Sequence, residues 1–171
     1  QYLLVVHPAV PAKSAKELIA LAKSRPGQLN YGSSGVGAPP HLATELMLSM
    51  ARVDAVHVPY KGATPAIAGL VGGHIDFYVG GISGLIPQVR SNKLRALAVT
   101  GVRRSSGLPD IPTIAEAVLP GYDISTWFGV VAPAGVSSEI VTRLNGTLVK
   151  IVGEKEMRGF LMTLGLEPAS S

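Results

Sequence analysis

The sequence predicts an α/β protein built on an open, mostly parallel sheet flanked by helices. Short apolar, β-branched runs alternate with helical segments almost from end to end, the spacing of βαβ units. The helical segments carry capping signals and apolar residues three and four apart, and Gly or Pro marks the joins between elements. The composition suits one sizeable core: of 171 residues 47% are hydrophobic and 15% charged, with a mean hydropathy of +0.34.

The elements follow in order. Tyr2–His7 is a short apolar run of the kind buried on both faces. Ser14-Ala15-Lys16-Glu17 is a capping box, and it opens a helix with Leu18, Leu21 and Ala22 on one face that Pro26-Gly27 stops. Leu29–Gly32 is strand-like and runs into the loop Ser33-Ser34-Gly35-Val36-Gly37. Pro39-Pro40 then start a helix carrying Leu42, Leu46, Met47 and Met50. Ala55–Val58 is the next strand, and Thr64-Pro65 begin a short helix ending at Gly72-Gly73. A strand at His74–Val79, a helix at Gly81–Ser91 and a strand at Leu94–Thr100 follow. Pro87 has to sit near the first turn of its helix or kink it. Thr113-x-x-Glu116 is a second capping box, on a short helix. Tyr122–Val131 reads as a long strand, and Ser137–Val152 and Glu154–Leu164 as amphipathic helices.

Composition and charge exclude several classes. The chain has no cysteine, which removes disulfide scaffolds and cysteine-based zinc or redox sites. No apolar stretch reaches the roughly 18 residues that span a bilayer. The net charge is +4, and residues 1–104 carry 11 Lys or Arg against 4 Asp or Glu. A positive field over that part favours anionic partners, although Lys13, Lys16, Lys23 and Arg25 also fit the solvated face of one helix. Nucleic acid is a poor partner, because no basic cluster is interleaved with aromatics. The chain opens at Gln1 in an apolar run and reads as a piece of a longer protein. The absence of a signal segment therefore carries no information about compartment.

The chemistry concentrates in Tyr31-Gly32-Ser33-Ser34-Gly35-Val36-Gly37-Ala38-Pro39-Pro40-His41. A strand enters a glycine-rich turn and a helix begins beyond it, at the strand's carboxyl end where α/β sheets bind ligands. Backbone N–H groups of the turn and helix start favour a carboxylate or phosphate, and Ser33 and Ser34 add hydroxyls. An ordinary βα turn, with Gly35 and Gly37 supplying positive φ, fits the same spacing. No lysine follows Gly37 as a P-loop needs, Pro40 stands where a dinucleotide fingerprint needs glycine, and Val36 spoils a nucleophile elbow at Ser34. The spacing of His7, His41, His57 and His74 makes no zinc motif, and no cofactor is implied. His41 is the histidine placed beside a ligand, with a loop-bonding role as the alternative. His57 reads as a satisfied histidine in or near the core. In the loop Pro59–Ala66, Tyr60 offers a rim hydroxyl and Lys61 a cation, and Gly80-Gly81 leaves room for close approach by a ligand. A Ser34/His41/Asp76 triad has no support in order or spacing. With no acid/base pair among these loops, the pattern suits binding better than catalysis. An acyl- or phosphoryl-transfer domain using the Ser33–Gly37 loop is the alternative.

Several motifs match one family in order: Tyr31–His41, Val56-His57-Val58-Pro59-Tyr60-Lys61-Gly62, Lys93–Gly101, Leu108–Thr113 and Trp127–Gly135. Across about Leu3 to Pro168 the chain resembles the extracytoplasmic substrate-binding receptors of tripartite tricarboxylate transporters, the Bug-type receptors. The resemblance implies a periplasmic Venus-flytrap receptor of two α/β domains, working with membrane transporter subunits and without catalysis. It divides the chain into a hinge strand at 1–6, the second domain at 7–126 and a return into a truncated first domain at 127–171. It implies small carboxylate ligands, often held through ordered water, with Ser33, Ser34, Gly35, Gly37 and His41 at the matching positions. Val36, Tyr60, Gly80 and Gly81 complete the expected ligand-binding set. Many members have Asp-Asn where this chain has Gly80-Gly81, which points to a bulkier or less polar carboxylate. Apolar surface on 127–171 is expected to pair chains into a non-native homodimer or to leave the tail misordered.

Overall fold

The computed structural model describes residues 1–166 and 168, so the end of the expected return segment lies outside the described residues. The chain divides into two compact units, Gln1–Thr126 and Trp127–Ser171.

The first unit is a five-stranded sheet in the order β3-β2-β4-β1-β5. Its strands are β1 (Tyr2–Val6), β2 (Asn30–Ser33), β3 (Val56–Pro59), β4 (Phe77–Gly81) and β5 (Arg95–Val99). The strand β2 pairs parallel with both β3 and β4, whereas β1 runs antiparallel between β4 and β5. The sheet is therefore mixed, with β1 alone reversed. Tyr2–Val6, expected to flank the domain, is an integral strand bonded on both sides. Its alternation explains the position: Leu4 and Val6 enter one core and Leu3 and Val5 the other, all at 0% exposure.

On the first face lie α1 (Ala15–Ser24), α2 (Pro39–Ala51) and the short α5 (Ile114–Ala117). They bury Leu18, Ala22, Ala43, Met47 and Ile114 against Leu4, Tyr31, Phe77 and Val79. On the second face α3 (Ala63–Val71) and α4 (Ile82–Arg90) bury Ala66, Leu70, Ile82 and Leu85 against Leu3, Val5 and Tyr78.

Local signals act as chemistry requires, with two adjustments. The Thr113 box is complete: its hydroxyl accepts from Glu116 N at 3.0 Å, and Glu116 Oε2 accepts from Thr113 N at 3.1 Å. Ser14 likewise accepts from Glu17 N, but Glu17 reaches one residue further back, to Lys13 N at 2.8 Å. Pro87 lies past the first turn of the nine-residue α4, so Ser83 O gains no N–H from it. Thr113→Ala removes one half of the box and is expected to lower unfolding stability by about 1 kcal/mol in urea titrations.

Tyr122–Val131 does not form the expected strand. Tyr122 docks its hydroxyl on Ala43 O at 2.8 Å, and Ile124 N donates to Thr100 O at 2.9 Å. A strand needs a continued ladder, and from Trp127 the chain enters a unit whose regular elements among the described residues are the helices α6 (Ser138–Gly153) and α7 (Lys155–Thr163). No residue of α6 is buried, and Trp127, Phe128, Val130 and Val131 are exposed.

Candidate functional site

The sheet order creates a crevice at the carboxyl ends of β2 and β4. From β2 the chain turns into α2 on the first face; from its neighbour β4 it turns into α4 on the second. Adjacent strands whose following helices leave to opposite faces open a gap between their ends, where α/β sheets take ligands. The glycine loop Ser33–Gly37 forms one side of this gap and Gly80-Gly81 the other, since Gly32 pairs with Tyr78 in parallel register.

Hydrogen bonds fix the loop. Tyr60 N donates to Ser33 O at 3.0 Å and Gly62 N to Ser34 O at 3.2 Å, which zips the 60–62 loop to it. Gly35 and Gly37 have φ of 140° and 76°, values that side chains rarely adopt. Gly37 N donates to His41 Nδ1 at 3.3 Å, so His41 holds the loop as well as bordering it. Ser34 and Gly35 are half-buried, and Val36 at 77% exposure and Gly37 stand out at the rim. The N–H groups of Ser34 and Val36 have no partner among the described residues. The helix start contributes less than the spacing suggests, because Pro39 and Pro40 occupy its first two positions and have no N–H.

Three expected site residues are engaged inside the fold. Ser33 is fully buried and its hydroxyl is engaged by Gly35 N at 3.1 Å, Gly35 O at 3.0 Å and His57 Nε2 at 2.6 Å. All three of these contacts lie within the protein. Tyr60 turns its ring inward into the second core, its hydroxyl against the space left by Gly69. Gly80 is buried under the ring of Tyr78, and a Cβ there would collide with it; Gly81 is exposed with nothing near a Cβ. Burial raises the Tyr78 hydroxyl to about 12, with Tyr2 adding to the shift. The imagined triad does not assemble. Asp76 lies at the opposite, amino end of β4, where its carboxylate accepts from Asn30 N at 2.7 Å.

Residues that sequence reasoning left out of the site surround the loop. His57 on β3 stacks on Tyr31 with centroids 4.8 Å apart and meets His41 at 4.2 Å. The Tyr31 hydroxyl donates to Glu45, and burial with this carboxylate pushes its pKa well above the ordinary value. The available signal was spacing: Tyr31 and Ser33 share one strand face, and His41 and Glu45 share one helix face. Among the described residues no group of three His, Asp or Glu side chains could hold a metal ion. A cavity of about 280 Å³ lined by His7, Arg25 and Asp76 lies at the other end of these strands, before β2 and β4 begin.

Desolvation and the neighbouring His41 lower the pKa of His57, against a smaller opposing effect of Glu45. The folded chain therefore sheds this proton more readily than the unfolded chain, whose histidines titrate near about 6.5. That stability is present above this value and lost as the pH falls through the folded pKa. Urea midpoints are expected to fall below about pH 6.5, with a shallower slope for His57→Gln.

The comparisons agree with this geometry. The model for the tripartite tricarboxylate transporter family receptor matches residues 1–171. The chain belongs to this receptor family. Among relatives, a UPF0065 protein in the tcbD-tcbE intergenic region of Pseudomonas sp. strain P51 is 38% identical over 94% of the chain and 49% of that protein. BugT of Bordetella pertussis is 36% identical over 84% of the chain and 44% of its own length. Rpa4515 of R. palustris, solved with adipate, superposes with a TM-score of 0.93 at 38% identity, over 99% of the chain and 57% of that structure. MatC of Rhodopseudomonas palustris, solved with malate, gives 0.84 at 30% identity over 98% of the chain and 57% of its own. The chain thus spans about half the length of the curated family members it matches.

Proposed function

We propose that this chain is the ligand-holding second domain of a periplasmic receptor for small carboxylates, acting with membrane transporter subunits and without catalysis. The observation that carries the reading is the glycine loop at the β2/β4 crevice, with its N–H groups of Ser34 and Val36 unspent. Backbone donors at such a turn suit a carboxylate, and family members of this fold were solved with adipate and malate. Ser34, Gly35, Val36, Gly37 and His41 contact the anion or its water shell, while Ser33, Tyr60 and Gly80 shape the loop and its support. Gly81, open where many members have Asn, leaves room for a bulkier or less polar carboxylate.

In this reading residues 7–126 are the domain, Tyr2–Val6 links it to its companion while serving as a sheet strand, and 127–171 returns toward the first domain. A ligand bridging two domains stabilises the closed state that the transporter recognises. The apolar surface of Trp127, Phe128, Val130 and Val131 pairs copies of the chain when the companion is missing, which light scattering reads as a dimer.

Calorimetric titration with mono- and dicarboxylates, adipate and malate among them, of the chain and of the longer receptor containing it tests the function. Heat with a dicarboxylate that Val36→Pro weakens is the expected result. No heat with any carboxylate, together with turnover of an ester or phosphoester, would overturn the reading.

A further inference from the structure

The contacts of Ser33 contain a proton count. Its hydroxyl oxygen lies within hydrogen-bond distance of Gly35 N, Gly35 O and His57 Nε2. Gly35 N–H can only donate and Gly35 O can only accept, so for all three contacts to be hydrogen bonds the single Ser33 proton must lie on Gly35 O. The contact to His57 is then a hydrogen bond only if Nε2 carries a proton and donates to Ser33. With the proton on Nδ1 instead, Ser33 would donate to His57. Its oxygen would then face Gly35 O at 3.0 Å with no proton between them.

We infer that His57 is a positioning residue for the glycine loop: its Nε2–H, donated to Ser33, commits the Ser33 proton to Gly35 O and so fixes the loop that receives the carboxylate. The inference rests on the proposed binding role of that loop and adds its control. His41 is a second pin of opposite character, because its Nδ1 accepts from Gly37 N at 3.3 Å and must be unprotonated to do so. The groups facing the two rings are Tyr31 on β2 and Glu45 on α2, whose carboxylate is engaged by the Tyr31 hydroxyl.

The two pins respond differently to acid. Protonating His57 adds a proton at Nδ1 and leaves the Nε2–H to Ser33 in place. Protonating His41 fills the lone pair that Gly37 N uses, and the positive ring lies 4.2 Å from the His57 ring. Acid therefore frees the Gly37 end of the loop and leaves the Gly35 end held.

Long-range imidazole ¹H–¹⁵N NMR of the 171-residue chain reads the tautomers directly. The expected result at about pH 8 is Nε2–H on both His57 and His41. A proton on His41 Nδ1 should move the Gly37 amide, because it removes that amide's acceptor. The Gly35 amide should stay in place in the wild type and in His57→Gln, whose side-chain N–H replaces the donor, and move in His57→Glu, whose carboxylate draws the Ser33 proton away from Gly35 O. With adipate as probe, His57→Glu should bind at least about tenfold more weakly and His57→Gln within about threefold of wild type. An Nδ1–H tautomer at His57, or an unmoved Gly35 amide in a folded His57→Glu, overturns the inference. If His57→Glu does not fold, the wild-type tautomer decides. A wild-type receptor that takes up no carboxylate sinks the binding role, and the NMR results still judge the pin.

Discussion

Gly80→Asp is expected to lower the unfolding free energy by about 3 kcal/mol or more, while Gly81→Asn changes it by less than about 0.5 kcal/mol. The two glycines are neighbours in sequence with opposite surroundings. Gly80 is buried in β4 opposite Leu3, and the Tyr78 ring occupies the space a side chain would need. Aspartate there must displace a ring that is 1% exposed and place a carboxylate beside a hydroxyl that has no partner among the described residues. Gly81 is exposed, with nothing within 4 Å of a built Cβ. Urea unfolding of the two single variants measures the contrast, and equal midpoints would show that Tyr78 yields freely. Replacing both glycines together mixes a packing defect with a change of specificity. Gly81→Asn alone reports on the ligand.

Leu4→Ala is expected to cost about 3 kcal/mol, against less than about 0.5 kcal/mol for Leu144→Ala on α6. Leu4 is 0% exposed and lies between Val79 of β4 and Ala98 of β5, whereas Leu144 is 52% exposed. Truncating Leu4 opens a cavity under α1 and α2 that the two neighbouring strands prevent from closing. Chemical denaturation followed by circular dichroism gives both values. A Leu4→Ala midpoint near wild type would mean that Tyr2–Val6 contributes little to the sheet and serves only as a connection.

Much of the fold was legible because its signals are local. Ser14, Thr113 and Pro39 start helices through bonds or dihedrals within four residues of themselves. The continuous apolar run of Leu3–Val6 announced burial on both faces correctly, but carried nothing about direction. The Tyr122–Val131 reading failed for the same reason: an apolar run makes a strand only where another strand accepts its hydrogen bonds. Within the site, the glycine loop and His41 were legible as a motif. The enclosure of Ser33 by His57, the inward turn of Tyr60 and the Tyr78 ring over Gly80 were not, since each depends on residues on another element or on the opposite strand face.

By itself the sequence determined the class of fold, the order of its elements apart from Tyr122–Val131, the family and the loop where an anion is expected. Those follow from periodicity, capping and ordered motifs, which are properties of neighbours along the chain. Only the tertiary structure decided that β1 runs against the other strands, and that α2 and α4 leave adjacent strand ends toward opposite faces. It also decided which hydroxyl is spent inside the loop and which of the loop's N–H groups lack a partner among the described residues. The physical reason is that a hydrogen bond or a crevice is set by distance in space, and strand pairing brings together residues such as Ser33 and His57 from separate elements.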